Sequence, residues 1–186
     1  MGVAATSRER GSRERILAAA SELARELGPN HLPLEAVAAR AGVSKGGLLY
    51  NFPTKAALLR ALVEGYIAEM DAALEAAVAA ESGARGSFAR AYIDQFETEC
   101  LAAMPAASGV LAAMAENPDF MEPLSAYKAA VLDRLKRDCV SDADALLIFL
   151  TIDGLRSARL FDPGTIADAD RETALARLRE LASASC

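Results

Sequence analysis

The sequence has no tryptophan, a single histidine and only three cysteines in 186 residues, and none of its apolar runs goes far without a charge. Cys100, Cys139 and Cys186 are odd in number, far apart and outside any CxxC or histidine-rich setting. They suggest neither a disulfide framework nor a zinc site, and a reducing cytoplasm is the expected setting. His31 stands in a proline-rich turn with no acidic or thiol neighbour, which argues against a metal or catalytic role. No GxSxG elbow, glycine-rich phosphate loop or internal repeat occurs, and no nucleophile, base and orienter come together in the pattern. An enzyme is therefore not expected, and neither is a cofactor or a metal. The opening MGVAATSRERGSRER has no apolar h-region, and no run approaches the roughly 18 to 20 apolar residues of a membrane span. A soluble protein with no membrane partner is expected.

What is present is helix-forming and apolar. Hydrophobic residues make up 53%, ample for a buried core, and alanine supplies much of that fraction. The net charge of −6 argues against a generic polyanion binder, yet the charge is unevenly placed. Residues 1–60 carry 9 Lys+Arg against 5 Asp+Glu, a surplus of +4, and the remainder carries −10. Such a chain can meet phosphate with one end and repel it with the other.

The positive end holds the stretch around which the chain is organised, LEAVAARAGVSKGGLLYNFPTK, from Leu34 to Lys55. Leu34, Val37, Ala38 and Ala41 recur at helical spacing, and Gly42 can end that helix in a left-handed turn. Ser44 can cap a second helix starting at Lys45. In it Leu49 and Phe52 can turn inward with Val43, leaving Lys45, Gly46, Leu48, Tyr50 and Asn51 for an outer face. Helix, tight turn and helix is the arrangement of a DNA-reading unit. Lys45 and Lys55 each follow a cap, Ser44 and Thr54, where a helix dipole disfavours positive charge by up to about 1 kcal/mol; a phosphate nearby reverses the sign. Gly46 and Gly47 in a first turn cost roughly 0.5–1 kcal/mol each against alanine, intelligible if the backbone must approach another molecule. Solvated lysines on a frayed helix are the bland alternative.

The run Val37-Ala38, then Ala41-Gly42-Val43-Ser44-Lys45-Gly46-Gly47-Leu48-Leu49-Tyr50-Asn51-Phe52-Pro53-Thr54-Lys55, resembles the signature of the tetracycline-repressor (TetR) family. Asn51 stands where the family more often has histidine or tyrosine, and Ala56-Ala57 replaces acidic residues, removing a capping box. The resemblance implies an all-α fold. A three-helix DNA-binding domain would occupy residues 1–53, with helices at about 13–27, 34–41 and 45–52. A helical ligand-binding and dimerisation domain would occupy 54–186, for about nine helices in total.

Along the chain, residues up to Gly11 read as a polar tail whose Arg8 and Arg10 could brush a DNA backbone. Ile16, Leu17, Ala20, Leu23, Ala24 and Leu27 make the face of a first helix that Gly28-Pro29 ends. Thr54 opens a fourth helix reaching about Ala80, about 40 Å long and suited to carry a tilt from one domain to the other. Ser87 is expected to cap a fifth helix. A sixth spans 108–116, a seventh ends in Arg134, Lys136 and Arg137, an eighth follows the capping-box pattern Ser141-Asp142-Ala143-Asp144, and a ninth runs from Asp170 to Leu181.

Met70, Phe88, Tyr92, Phe96, Cys100, Met104, Met114, Met121, Tyr127 and Phe149 are the candidates to line a ligand cavity, since large flexible apolar side chains adapt to a guest. Plain core is the alternative for each. Leu147, Leu150, Gly154 and Ala158 on the eighth helix, with Leu175 and Leu178 on the ninth, leave an apolar face suited to a second subunit, and the TetR resemblance implies a dimer built as a four-helix bundle. Asp153, Arg156 and Arg159 interrupt that face, and an Asp153–Arg156 pair along the helix is expected. The function these readings imply is a ligand-responsive transcriptional regulator, a repressor that binds a palindromic operator as a homodimer and leaves it on meeting a small-molecule effector. Lys45, Tyr50 and Lys55 would hold phosphates with Arg40 and Ser44 in support, while Gly46, Gly47, Leu48 and Asn51 would face base edges. A helical ligand-binding or scaffold protein without DNA binding is the alternative.

Overall fold

The computed structural model describes residues 7–27, 32–81, 85–101, 113, 117–139, 141–162 and 164–185. Among them are eight α-helices and no strand: α1 Ser7–Leu27, α2 Leu34–Ala41, α3 Lys45–Asn51, α4 Lys55–Ala80, α5 Ser87–Leu101, α6 Glu122–Asp138, α7 Asp142–Phe161 and α8 Asp168–Ser185, with a 3₁₀ turn Pro118–Met121 ahead of α6. The expected helix at 108–116 lies outside the described residues apart from Ala113, which is buried. α1 begins at Ser7 and runs through Gly11, where a tail was expected. Arginine and glutamate are good helix formers, and a lone glycine costs such a helix only about 1 kcal/mol.

The chain forms two compact units. The first comprises Met1–Ala68 and Met104–Ser125, the second Glu69–Ala103 and Ala126–Cys186. The division falls inside α4 rather than at the expected 53/54. The reason is burial: Leu58, Leu59, Leu62 and Val63 of α4 join the core of Ile16, Ala20, Leu23, Val37, Ala38, Leu48 and Phe52. Each fully buried leucine or isoleucine contributes about 1.5–3 kcal/mol, so the first turns of α4 belong energetically with α1–α3. Arg13 stacks over the Phe52 ring at 5.3 Å and Arg60 over Phe120 at 5.9 Å, closing the rim of this core.

In the second unit α5, α7 and α8 pack on one another. Their core includes Phe88, Tyr92, Ile93, Phe96, Ile148, Ile152, Leu175 and Leu178, with Leu74 of α4 and Val131 and Leu135 of α6. Ser141 caps α7 as expected, its hydroxyl accepting from Asp144 N. Ser87 does not cap α5. That role falls to Asp138, at the far end of α6, whose two carboxylate oxygens accept from Gly86 N at 3.1 Å and Ala89 N at 3.0 Å. A carboxylate suits a helix amino end, and a cap supplied from 49 to 52 positions away also ties α6 to α5. Arg179 likewise bridges α8 to Asp94 and Glu97 of α5. Cys139 is buried and disulfide-bonded, where the sequence suggested no disulfide framework; Cys100 is a free thiol. No helix of the described residues is long and apolar enough to cross a membrane.

Candidate nucleic-acid interface and effector region

Between α2 and α3 the chain turns in three residues. Gly42 takes φ +64°, a left-handed conformation open to glycine without a Cβ clash, while Val43 N donates to Ala38 O at 3.0 Å. Ser44 then caps α3, its Oγ accepting from Gly47 N at 3.0 Å. A Cβ on Gly47 would lie 3.3 Å from that oxygen, so the cap itself asks for a small residue there; a Cβ on Gly46 would meet the same oxygen at 3.9 Å, an ordinary contact.

One expectation for α3 is overturned. Leu48, assigned to the outer face, is fully buried with Phe52, while Leu49 is half-buried against the same core. A helix this short can bury only one stripe, and Leu48 with Phe52, four apart, joins the core that holds Ile16 and Val37. Leu48 therefore presents nothing to a base. Ser44, Lys45, Gly46 and Tyr50 are exposed, Tyr50 to 74%. Asn51 is half-buried and its amide nitrogen is engaged, donating to Gly47 O at 2.8 Å and to Ser12 Oγ of α1 at 3.1 Å. It ties α3 to α1, and the base-reading role expected of it is not what this geometry favours.

Two cations of the surface, Lys45 and Arg40, already have carboxylate partners. Lys45 Nζ sits 2.7 Å from Glu35 Oε1, and that hydrogen bond holds the Glu35 carboxyl below its usual range. Arg40 forks onto Glu26 at 2.9 and 2.7 Å and reaches Glu22 at 3.4 Å, which pushes its pKa further up. Lys55 is half-buried at the first turn of α4, beside Thr54, whose hydroxyl accepts from Ala57 N at 3.0 Å. Glu22, Glu26 and Glu35 are residues that sequence reasoning missed. Only the approach of separate helices, across 18, 14 and 10 positions, reveals them.

The effector candidates divide. Met70, Phe88, Tyr92, Phe96, Cys100, Tyr127 and Phe149 pack in or against the second unit. Met121 instead packs on the first unit's core. Met104 and Met114 lie outside the described residues. Running through this apolar region is a polar network absent from the sequence reading. Arg156 of α7 donates through Nε and Nη2 to Glu99 at 2.9 and 3.0 Å and through Nη1 to the Tyr92 hydroxyl at 2.8 Å, while lying over the rings of Tyr92 and Phe96. Arg159 donates to the Glu99 carbonyl at 2.7 Å. Asp153 pairs with Lys128 of α6, not with Arg156 as expected, because helix packing brings a better-placed partner to each. Gln95, 5% exposed, donates to Met70 O at 2.8 Å. Burial pushes up the Tyr92 hydroxyl and the Cys100 thiol, and raises Tyr127 to about 12. A cavity of about 50 Å³ lies among Leu155, Ala158, Arg159, Asp162, Ile166, Asp168 and Arg171, room for a water or two and too small for an effector. No cluster of His, Cys, Asp and Glu suited to a metal occurs among the described residues.

The expected subunit face is divided too. Leu147 and Leu150 are 54% and 60% exposed, Gly154 is exposed and Ala158 half-buried. Leu175 and Leu178 are core of their own chain, at 2% and 6%, and so are not free to meet a partner. Phe161, 62% exposed on α7, belongs with the apolar surface and was missed.

A short helix-turn-helix head and a helical unit with a polar seam in its interior put the chain among all-α proteins of the helix-turn-helix class. Residues 16–62 match the profile of bacterial regulatory proteins of the tetR family, and 86–183 match the tetracycline-repressor-like C-terminal domain. The chain belongs to the TetR family.

Solved structures agree in fold. A transcriptional regulator from Rhodococcus sp. Rha1 is 22% identical with a TM-score of 0.71, covering 93% of this chain and 97% of its own. A TetR-family regulator from Haemophilus influenzae is 17% identical with a TM-score of 0.69, covering 97% and 99%. SmeT in complex with triclosan is 22% identical with a TM-score of 0.69, covering 94% and 91%. No curated protein matches the chain in sequence.

Proposed function

We propose that the protein is a ligand-responsive repressor that binds a palindromic operator as a homodimer and is released by a small apolar or amphipathic effector. The observation that carries this reading is the outer face of α3, where Ser44, Lys45, Gly46 and Tyr50 stand exposed beside a half-buried Lys55, at the cationic end of an otherwise acidic chain. Two copies of α3 would enter successive major grooves about one helical turn apart. Lys45, Tyr50 and Lys55 would hold phosphates, with Arg40 and Ser44 weaker contributors. Gly46 and Gly47 would let the backbone come close to base edges. With Leu48 in the core and Asn51 engaged, few hydrogen-bonding side chains remain, so DNA shape would carry much of the specificity. The exposed apolar residues of α7, Leu147, Leu150 and Phe161, support a second copy as the partner.

The effector would act in the second unit, among Met70, Tyr92, Phe96 and Tyr127. That SmeT is crystallised with triclosan, and EbrR, 22% identical with a TM-score of 0.66, with malachite green, supports an aromatic guest. Effector and operator would favour different dimer arrangements, so each weakens the other's binding. The protein would act in the cytoplasm and catalyse no reaction. Pairing of Lys45 and Arg40 with the chain's own carboxylates favours a rival, a ligand-binding protein without DNA binding. Fluorescence anisotropy on the gene's own upstream DNA separates the two. Sequence-selective binding that weakens steeply with salt supports the repressor, and no selective binding at any salt concentration supports the rival.

A further inference from the structure

Among the described residues, two side-chain polar atoms of the second unit are buried without a hydrogen-bond partner: Gln95 Oε1 and the Tyr127 hydroxyl. Leaving such an atom unpaired costs about 1–3 kcal/mol, so each calls for a reason. α4 bears on both, through a hydrogen bond to Gln95 and through charge on Tyr127. Gln95 spends its amide nitrogen on Met70 O, which leaves only an acceptor, and the Tyr127 phenol feels the charge of Asp71, the next residue. Tyr127 packs against the core that holds Tyr92 and Phe96, and Met70, whose carbonyl Gln95 engages, is itself only 8% exposed. Met70, with a flexible thioether, is the neighbour best able to yield room.

We propose that Gln95 and Tyr127 form the polar end of the effector site and that they recognise an uncharged aromatic molecule carrying a hydroxyl group. The inference rests on the effector-responsive reading above and names its ligand class. The chemistry narrows as follows. Gln95 Oε1 can only accept, so the guest must donate. Tyr127 is buried and keeps its proton, so it can donate to the guest or accept from it. One hydroxyl meets both, giving its proton to Gln95 and taking one from Tyr127. A carboxylate has no proton for Gln95 and would approach Asp71. A cation would be repelled by the Arg156 guanidinium, the charge with the largest effect on Tyr127. Tyr92 and Phe96 offer ring faces or edges to an aromatic body.

The test is a calorimetric titration of the full-length protein with β-naphthol, its methyl ether, β-naphthoate and naphthylmethylammonium. The naphthol is expected to bind about tenfold tighter than the ether, which has lost the donor, and tighter than either ion. Tyr127→Phe and Gln95→Met should each shrink the naphthol-to-ether ratio to about threefold or less. Tyr127→Phe should melt no lower than wild type, since it deletes a hydroxyl that has no partner. No binding of any probe, tightest binding of an ion, a ratio near one in wild type, a ratio that survives both substitutions, or a clear fall in melting temperature for Tyr127→Phe would each overturn the assignment. Operator binding measured on the same wild-type sample keeps the two readings apart. Selective DNA binding with no preference for the hydroxyl sinks this inference alone, and absence of selective DNA binding sinks the repressor reading whatever the probes do.

Discussion

Arg156→Met should be the most damaging single polar substitution in the second unit. The arginine side chain is 14% exposed and its partner Glu99 25%, so the pair is largely withdrawn from water. The change removes two N–H···O bonds to Glu99, one to the Tyr92 hydroxyl, and the guanidinium lying 4.9 Å from the Tyr92 ring centre. Breaking a fully buried pair from one side costs about 3–5 kcal/mol, because the surviving charge is stranded. Glu99 can recover part of its hydration, and methionine keeps much of the apolar contact, so about 2–3 kcal/mol is the figure for this site. For a chain of this size that lowers the melting temperature by about 5–10 °C. Circular dichroism melts at neutral pH read it directly. The stranded-charge argument also requires that Arg156→Met with Glu99→Met be more stable than Arg156→Met alone. A drop under about 2 °C, or strictly additive losses in the double variant, would refute the reasoning.

Glu35→Gln frees Lys45 for phosphate and removes a carboxylate that would otherwise need a new counterion, so operator affinity should rise and the slope of log K against log salt should steepen by up to about 0.9. Anisotropy titrations between low and moderate salt check this, and an unchanged slope counts against Lys45 as a phosphate contact. Leu150→Glu places a charge on the exposed face of α7 and should shift a dimer toward monomer in analytical ultracentrifugation while leaving the helical circular dichroism signal intact. Tyr127, raised to about 12 by burial, should ionise late in an ultraviolet tyrosinate titration. Because the folded state then binds the proton more tightly than the unfolded chain, its contribution to stability is complete below about pH 10 and is lost as pH climbs toward 12. Loss of the late-titrating step in Tyr127→Phe assigns it.

Much of the head could be read from the one-dimensional pattern. The ends of α2 and the start of α3 depend on Gly42 and Ser44, whose effects are local: a left-handed turn and a cap within three residues. The long α4 was legible for the same reason, through sustained apolar spacing. Leu48 and Leu49 show the limit. Adjacent leucines are equivalent to a periodicity argument, and which of them is buried depends on where α1 lies across α3. Asp138 capping α5 is a second case, since the local candidate Ser87 was the reasonable choice until a carboxylate from another helix came nearer. Leu175 and Leu178 are a third, for an apolar stripe does not announce whether it covers its own core or a partner.

From the sequence alone came the helical class, the cationic head, the turn between α2 and α3, and through them the family, because each rests on interactions between residues a few positions apart. Tertiary structure decided which stripe faces inward, which carboxylate holds each cation, and where polar atoms are left unpaired in the interior. Those outcomes depend on contacts between residues tens of positions apart, as with Arg156 and Glu99 or Gln95 and Met70, and their energies exist only once the helices have packed.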